Sequence, residues 1–336
     1  MPSTTARALR GRGLYIALLI PAALAVVSPL VARLLPGEVM WAAAASSILY
    51  SLPPWLMAAW PLWGLSIGRR TGRWGAASLS ALGLAFMGRP VATLPGAADL
   101  PLSVVSANVN AFSPDADPAP MEAALGAWGA TVVGVVEKRA LSIPGMVRAA
   151  DNFDDPLPTD SHGTAIFCTV GARCEAIVTE EIGSKTWKMP VGLARLDDAV
   201  CVLFVHGPPP LPIDASGLPA YVDAIARRLK GGRMSEAWGP CRAGDPALLM
   251  GDLNGVPGSD AHRRLVDAGL TDHLQGTGVW GATWPAGGGW PLLPVFRLDQ
   301  LLVGDLEVGD IDLGFTPGSD HRAVFARVGR RTDGSQ

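Results

Sequence analysis

The chain has 336 residues, of which 49% are hydrophobic and 17% are charged, and its formal net charge is −3. The length allows one large domain or two, and the apolar fraction is unusually high for a soluble protein. The charge is uneven: eight basic residues and one acidic residue precede Asp99, whereas 19 basic and 29 acidic residues follow from Asp99 onward, a net charge of −10. This acidic balance argues against a nonspecific nucleic-acid binder, whose affinity comes from Lys and Arg at the phosphates.

Three apolar segments precede Asp99: Leu14 to Leu35, Val39 to Ile67, and Trp74 to Leu94. Each is long enough to cross a bilayer, which takes about 20 apolar residues. The alternative for the first segment is a cleaved signal peptide, but the run is too long and two further segments follow it. We therefore predict a membrane anchor with three transmembrane helices over residues 1–98 and a separate domain over residues 99–336.

Basic residues occur before the first apolar segment and between the second and third, at Arg7, Arg10, Arg12, Arg69, Arg70 and Arg73, whereas the loop 36–38 carries none. Positively charged loops stay in the cytoplasm, so an odd third span exports residues 99–336. Arg89 weakens the third span, and loss of that span would reverse the side of the domain. We expect a multi-pass protein of the cytoplasmic membrane whose second domain is periplasmic or extracellular.

All four cysteines, Cys168, Cys174, Cys201 and Cys241, lie in the second domain. In an oxidising compartment they allow up to two disulfides, with three possible pairings. Thiolate metal binding is disfavoured, since no CxxC spacing occurs and no His lies at the distance typical of a zinc site.

Short apolar runs that end in polar residues dominate the second domain. We predict strands over Leu102–Ala107, Thr131–Val136, Leu248–Gly251 and Leu298–Val303, hairpins formed by 163–170 with 175–179 and by 192–196 with 200–205, and helices over 119–128, 217–230 and from an N-cap at Ser259 to Ala268. Strands outnumber helices without regular βαβ alternation, which favours a mixed two-sheet α/β sandwich over a doubly wound fold.

The candidate functional residues follow these strands: Asn108, Glu137, His206, Asp252, Asn254, Asp299, Asp320 and His321. A strand-end carboxylate such as Glu137 is either a solvated terminus or a metal ligand. Asp252 and Asn254 have a structural alternative, since Asp and Asn also cap turns such as Gly255 to Gly258. The loop 276–297 holds Trp284, which fits a substrate wall or a lid on the core equally well. His162, His262 and His273 match no motif and are read as surface or loop residues.

In this order, Asn108, Glu137, His206, the GDLN motif at 251–254, Asp299 and the SDH motif at 319–321 resemble the endonuclease/exonuclease/phosphatase superfamily, over about residues 101–329. The resemblance implies a deoxyribonuclease-like sandwich and a hydrolase that needs Mg²⁺ or Mn²⁺. It implies Glu137 as the principal metal ligand, with Asn108 and Asp320 near the metal. Carboxylate and amide oxygens suit Mg²⁺.

The resemblance also implies how the remaining residues divide the chemistry. Asp252 would orient or deprotonate the attacking water, and Asn254 would hydrogen-bond the phosphoryl oxygens. His321 would contact the phosphate or act as base, with Asp299 orienting its ring. His206 would be a second donor to the leaving group. The sequence departs from the family pattern at Asn110, His206, Gln300 and Val136, without losing a core catalytic group.

These features predict a membrane-anchored phosphoester hydrolase that acts by water attack on a metal-bound phosphate. The substrate classes left open are a lipid head group, a small phosphodiester and nucleic acid, so an extracytoplasmic nuclease is an alternative. A catalytically silent membrane-anchored binding module is another. Nothing in the sequence predicts a protein partner.

Overall fold

A computed structural model describes residues 100–109, 117–137, 140–152, 163–185, 187–209, 216–275, 277, 281–286, 294 and 296–331. The three predicted transmembrane segments lie outside these residues. Among the residues described, no helix combines the length and the apolar character needed to cross a membrane.

The described chain forms sixteen strands and three α-helices, separated by turns and loops. In chain order they are β1 (Leu102–Asn108), α1 (Ala119–Ala127), β2 (Val132–Val136), β3 (Met146–Asp151), β4 (Thr164–Thr169), β5 (Cys174–Val178), β6 (Ile182–Gly183), β7 (Lys188–Met189), β8 (Val191–Leu196), β9 (Cys201–His206), α2 (Gly217–Ala226), β10 (Leu229–Lys230), β11 (Arg233–Met234), β12 (Ala247–Asp252), α3 (Asp260–Asp267), β13 (Thr271–Asp272), β14 (Asp299–Val303), β15 (Leu306–Phe315) and β16 (Arg322–Arg330).

Twelve of these strands form two six-stranded sheets. The first sheet has the order β15-β16-β1-β2-β4-β3, and the second has the order β13-β14-β12-β9-β8-β5. In each sheet one central pair is parallel, β1 with β2 and β9 with β12, and the other pairs are antiparallel. The two central pairs therefore bring their carboxyl ends to the edge of a sheet, where candidate residues follow them in the sequence.

Both faces of the central strands are buried, which explains their continuous apolar runs. Along β9, Phe204 points between the two sheets, where it shares a core with Val132 and Met250. The neighbouring Leu203 points to the opposite face, where α2 and α3 pack. Helix α1 covers the outer face of the first sheet through Met121 and Leu125. The predicted two-sheet α/β sandwich is confirmed.

The predicted hairpin of 163–170 with 175–179 is wrong. Strand β4 pairs with β2 and β3 in the first sheet, whereas β5 pairs with β8 in the second. The chain crosses between sheets at the turn around Gly171, and a crossing turn has the same local sequence signature as a hairpin turn. The other predicted hairpin is confirmed, since β8 pairs with β9.

The helix predicted over 217–230 ends at Ala226, and β10 begins at Leu229. Strands β10 and β11 are joined by Gly231 and Gly232, whose φ angles are 57° and 74°. Two consecutive positive φ angles are typical of the tight turn that matches the twist of a hairpin. The glycine pair therefore ends the helical segment early. Helices α1 and α3 are confirmed within a residue or so, with the Ser259 hydroxyl accepting the His262 N–H at the start of α3.

The four cysteines form Cys168–Cys174 and Cys201–Cys241. The first pair links β4 of one sheet to β5 of the other, at the turn where the chain crosses between them. The second links central strand β9 to the loop between β11 and β12. The structure thus selects one pairing from the three that the sequence allowed.

The two disulfides should differ in their contribution to stability. Replacing Cys201 and Cys241 together by Ala should lower the free energy of unfolding by about 4 kcal/mol, and replacing Cys168 and Cys174 by about 2 kcal/mol, since loop entropy grows with the number of residues enclosed. The sequence separations are 40 and 6. Guanidinium unfolding followed by tryptophan fluorescence measures both losses, and equal losses would contradict the loop-entropy account.

Candidate active site

Four of the candidate residues lie where the two parallel pairs end. Asn108 is the last residue of β1, and Glu137 follows β2. His206 and Asp252 are the last residues of β9 and β12 and are direct register partners. The parallel pairing in each sheet therefore determines which of these side chains are neighbours.

Asn108 connects the two sheets at this edge. Its Nδ2 donates to Glu137 Oε1 at 2.9 Å and to Asp252 Oδ2 at 3.0 Å. Asn108 and Asp252 are each 1% exposed, so these hydrogen bonds form away from bulk water. One amide thus holds a carboxylate from each sheet.

The backbone at the site adopts conformations that few residues tolerate. Gly251 has a φ of 134°, and a Cβ there would lie 2.1 Å from the carbonyl oxygen of Val205. Glu137 and Asn254 have φ angles of 52° and 50°, in the left-handed region. Asn is among the residues that enter this region most readily, whereas Glu does so at a cost. Among the described non-glycine residues with positive φ, Glu137 and Asn254 lie at the site, and Ala199, with a φ of 58°, lies in the turn between β8 and β9.

Asp252 is held through both of its oxygens. Its Oδ1 accepts the backbone N–H of Asn254 at 2.8 Å, and its Oδ2 accepts from Asn108. The side chain of Asn254 turns back and donates to the carbonyl of Gly207 at 2.9 Å. Asp252 therefore caps the turn that follows it, as the structural alternative predicts, and it also contacts the candidate residue Asn108.

His321 sits between two carboxylates. Its Nδ1 lies 2.8 Å from Asp299 Oδ2, and its Nε2 lies 3.8 Å from Asp252 Oδ2. Burial tends to lower the pKa of His321, but the charges of Asp299, Asp252 and Asp320 and the hydrogen bond to Asp299 outweigh it and raise the pKa to about 10. The metal-free site therefore holds an imidazolium at neutral pH.

The SDH motif is tied to the edge through its serine. Ser319 Oγ donates to the carbonyl of Asn108 at 2.7 Å and accepts the backbone N–H of His321 at 3.0 Å. The residue between them, Asp320, accepts a hydrogen bond from the indole N–H of Trp284 at 2.9 Å. The Trp284 ring also lies 6.4 Å from the ring of His321, centre to centre. Trp284 thus borders the site through contacts with Asp320 and His321.

Three side chains offer a suitable donor set for a divalent cation. Ligand atoms of Glu137, His206 and Asp252 lie within 4.8 Å of one another, and His206 Nε2 is 3.6 Å from Glu137 Oε1. Two carboxylates and one imidazole are ordinary ligands for such ions, and the imidazole suits Mn²⁺ better than Mg²⁺. Of the expected ligands, Glu137 belongs to this group, Asn108 contacts two of its members, Glu137 and Asp252, and Asp320 is hydrogen-bonded to Trp284.

Sequence reasoning missed a buried group beside the site. His262, read as a surface or loop residue, is 7% exposed, and its Nε2 lies 3.0 Å from Asp272 Oδ2. Arg297 donates to the same carboxylate oxygen. Burial tends to raise the pKa of Asp272, but His262 and Arg297 hold it below its usual value. The only sequence signal was Arg297 inside an apolar stretch two residues before Asp299.

The charge state of His321 can be tested directly. In the metal-free protein its pKa should lie near 10, and Asp299→Asn should lower it, since the variant removes both a charge and a strong acceptor. The folded pKa exceeds the ordinary value of 6.5, so the stability contributed by the charged ring is complete below about pH 6.5 and is lost as the pH rises through 10. NMR titration of ¹⁵N-histidine gives the pKa, and the exposed substitution Asp267→Asn is the control. An unchanged pKa in Asp299→Asn would contradict the assignment.

Residues 105–321 match the model of the Endonuclease/Exonuclease/phosphatase family. No curated protein matches the chain. Among solved structures, a TDP2 from D. rerio humanised by 14 mutations is similar over 68% of this chain and 98% of its own, at 15% identity and a TM-score of 0.47. An endonuclease/exonuclease/phosphatase from Beutenbergia cavernae is similar over 68% and 72%, at 16% identity and a TM-score of 0.46.

A sphingomyelinase C from Streptomyces griseocarneus is similar over 67% of this chain and 98% of its own, at 14% identity and a TM-score of 0.38. These likenesses are distant, whereas the family match covers more than half of the chain and includes the site and all or most of each strand of the two sheets except β16. The chain therefore belongs to the Endonuclease/Exonuclease/phosphatase family and is an enzyme that hydrolyses phosphoester bonds.

Proposed function

We propose that the protein is a membrane-anchored hydrolase that uses a divalent cation and water to cleave a phosphoester outside the cytoplasmic membrane. The observation that carries the chemistry is the meeting of Asn108, Glu137, His206, Asp252 and the Asp299–His321 pair at one edge of the sandwich. Together they supply ligand atoms for a cation, a carboxylate that could orient and deprotonate a water, and an imidazole donor, which is what phosphoester hydrolysis requires.

The cation would be Mg²⁺ or Mn²⁺, with Glu137 as its principal ligand. Its role would be to neutralise charge on the phosphoryl oxygens as the water attacks. The family pattern places Asn108 and Asp320 beside it, whereas the geometry favours His206 and Asp252. The nitrogen of His206 favours Mn²⁺ of the two ions.

The protein groups then divide the remaining work. The Nδ1 of His321 lies 2.8 Å from Asp299 Oδ2, which would hold the imidazole so that its Nε2 can donate to the phosphate. This assignment leaves Asp252 to orient the water and take its proton, with its position fixed by Asn108 and the Asn254 N–H. His206 would donate to the leaving group or bind the cation, and Asn254 would donate to the phosphoryl oxygens.

The substrate we favour is a lipid head group or another small phosphoester. A membrane anchor would hold the site close to lipid, and the net charge of −10 from Asp99 onward disfavours long nucleic acids. Nuclease activity is the second candidate within the same chemistry.

The location rests on two observations. The loop charges of the N-terminal part support a location of residues 99–336 outside the cytoplasm, by the positive-inside rule. Both disulfides lie in this part of the chain, and structural disulfides form and persist chiefly in oxidising compartments outside the cytoplasm.

Hydrolysis should depend on the cation and on the site residues. Purified full-length protein with Mg²⁺ or Mn²⁺ should release nitrophenol from a chromogenic phosphodiester, and chelation should abolish the release. Asp252→Ala and His321→Ala should each lower kcat by about 10²- to 10⁴-fold, since each removes a group acting on the water or the phosphate. Asp267→Ala, at an exposed carboxylate, is the matched control.

Turnover that is absent, or that Asp252→Ala and His321→Ala leave unchanged, would refute the proposed function and the roles assigned to these two residues. A panel of sphingomyelin, phosphatidyl lipids, DNA, RNA and inositol phosphates, run with the same variants, then identifies the substrate class. Cleavage of nucleic acid alone would establish the second candidate.

Topology can be tested separately from catalysis. A reporter that is active only outside the cytoplasm, fused after Asp99, should be active, and the same reporter fused between Arg70 and Arg73 should be silent. The reverse pattern would overturn the proposed location and leave the proposed chemistry untouched.

A further inference from the structure

A closed chain of hydrogen bonds connects the turn after Asp252 with the segment before Asp299. We call it the Asp272 ring, and its members are Gly255, Gly258, His262, Asp272, Arg297 and Gln300. None of these residues belongs to the cation group or to the residues assigned to the reaction.

Asp272 is the centre of the first half of the ring. The Gly258 N–H donates to Nδ1 of His262 at 3.4 Å. The imidazole proton is therefore assigned to Nε2, which donates to Asp272 Oδ2 at 3.0 Å. Arg297 donates to the same oxygen, and Asp272 Oδ1 accepts the Leu274 N–H at 3.0 Å. The turn at Gly258 is thereby linked to Arg297 through one carboxylate.

Gln300 closes the second half. Its Nε2 donates to the carbonyl of Arg297 at 3.1 Å and to the carbonyl of Gly255 at 2.8 Å. The two halves meet at Arg297 and at the turn 255–258, so displacing one end of the ring strains both connections.

The ring members with side chains are all buried: His262 and Arg297 are 7% exposed, Asp272 is 8% exposed and Gln300 is fully buried. A buried ionic group costs desolvation, and well-packed apolar residues often replace one without loss of stability. What such a group supplies is fixed geometry, because Asp272 Oδ2 contacts both His262 and Arg297, and Gln300 Nε2 donates to the carbonyls of both Gly255 and Arg297.

The geometry it fixes lies at the reaction centre. Asp252 and Asp299 are register partners at the ends of β12 and β14, and they flank His321. Past this pair the strands are joined by Leu253 N–H to the Leu298 carbonyl at 2.9 Å, and next by the ring. The ring therefore anchors the residues immediately beyond both carboxylates.

We propose that Asp272 and Gln300 are positioning residues that set the placement of the Asp299–His321 pair relative to Asp252. The catalytic part of this inference rests on the proposed function, whereas its structural part concerns the hydrogen bond between His321 and Asp299 alone. Loss of the ring loosens that hydrogen bond and misplaces His321 without removing any group that touches the substrate.

The test compares Asp272→Asn and Gln300→Met with a matched control, Asp245→Asn. Asp245 is also a buried carboxylate and is 6% exposed. It accepts a hydrogen bond from the Arg195 side chain at 2.8 Å and one from the backbone N–H of Arg242 at 2.9 Å. It precedes β12, at the opposite end of that strand from Asp252. The full-length protein is assayed for kcat, KM and Tm, and the His321 Nδ1 proton is followed by NMR.

Asp272→Asn and Gln300→Met should each lower kcat by about 10-fold or more, with KM changed by less than about two-fold, as expected when a supporting partner of a catalytic group is lost. Both should shift or broaden the His321 Nδ1 proton resonance. Asp245→Asn should lower Tm without either change.

The proposal is overturned if the ring variants lower Tm while kcat and the His321 resonance match those of Asp245→Asn. Gln300→Met removes no charge, so it decides the question if Asp272→Asn fails to fold. If the wild-type protein hydrolyses no phosphoester, the proposed function fails, and the His321 resonance in Gln300→Met still confirms or refutes the positioning role.

Discussion

The amide of Asn108 is the contact on which the site depends. It lies at the end of β1 in one sheet and donates both to Glu137 of the same sheet and to Asp252 of the other. Each sheet alone presents only one of these carboxylates. Because two acceptors share one buried donor, a shift between the sheets separates the groups that would bind the cation and activate the water. The packing of Phe204 and its neighbours between the sheets therefore has a direct chemical consequence.

The same dependence explains which features could be predicted from the sequence. A strand buried on both faces appears as a continuous apolar run, and the polar residue after it must lie at a sheet edge, so the local pattern placed Asn108, Glu137, His206 and Asp252 at strand ends. Their selection as functional residues came from the resemblance to the family. Parallel pairing then brings these residues together, because the carboxyl ends of parallel neighbours lie at the same edge of the sheet. The two-sheet sandwich followed from the number of strands and the lack of βαβ alternation.

What the sequence did not predict depends on contacts between distant residues. Gly171 marks a turn, but whether the next strand pairs beside β4 or joins the other sheet depends on strands far along the chain. His262 and Asp272 are ordinary residues in a polar helix and a short strand, and only the fold buries them with Arg297. The cysteine pairing could not be predicted for the same reason, because it depends on which strands the fold brings together. Membrane spans, by contrast, are predicted from composition, and the three in residues 1–98 lie outside the described structure.

The charge of the site argues for its cation independently of any resemblance. Four carboxylates lie at one edge of the sandwich, those of Glu137, Asp252, Asp299 and Asp320. The imidazolium of His321 lies among them, and a phosphoester substrate brings further negative charge. In a partly buried site, where opposing charges are weakly screened, anionic substrate would be repelled by this cluster. The Asp299–His321 pair offsets one carboxylate internally, which leaves Glu137 and Asp252 as the carboxylates that would hold a divalent ion. A positive ion there would turn a repulsive site into one that binds phosphate, and Asn108 contacts both carboxylates.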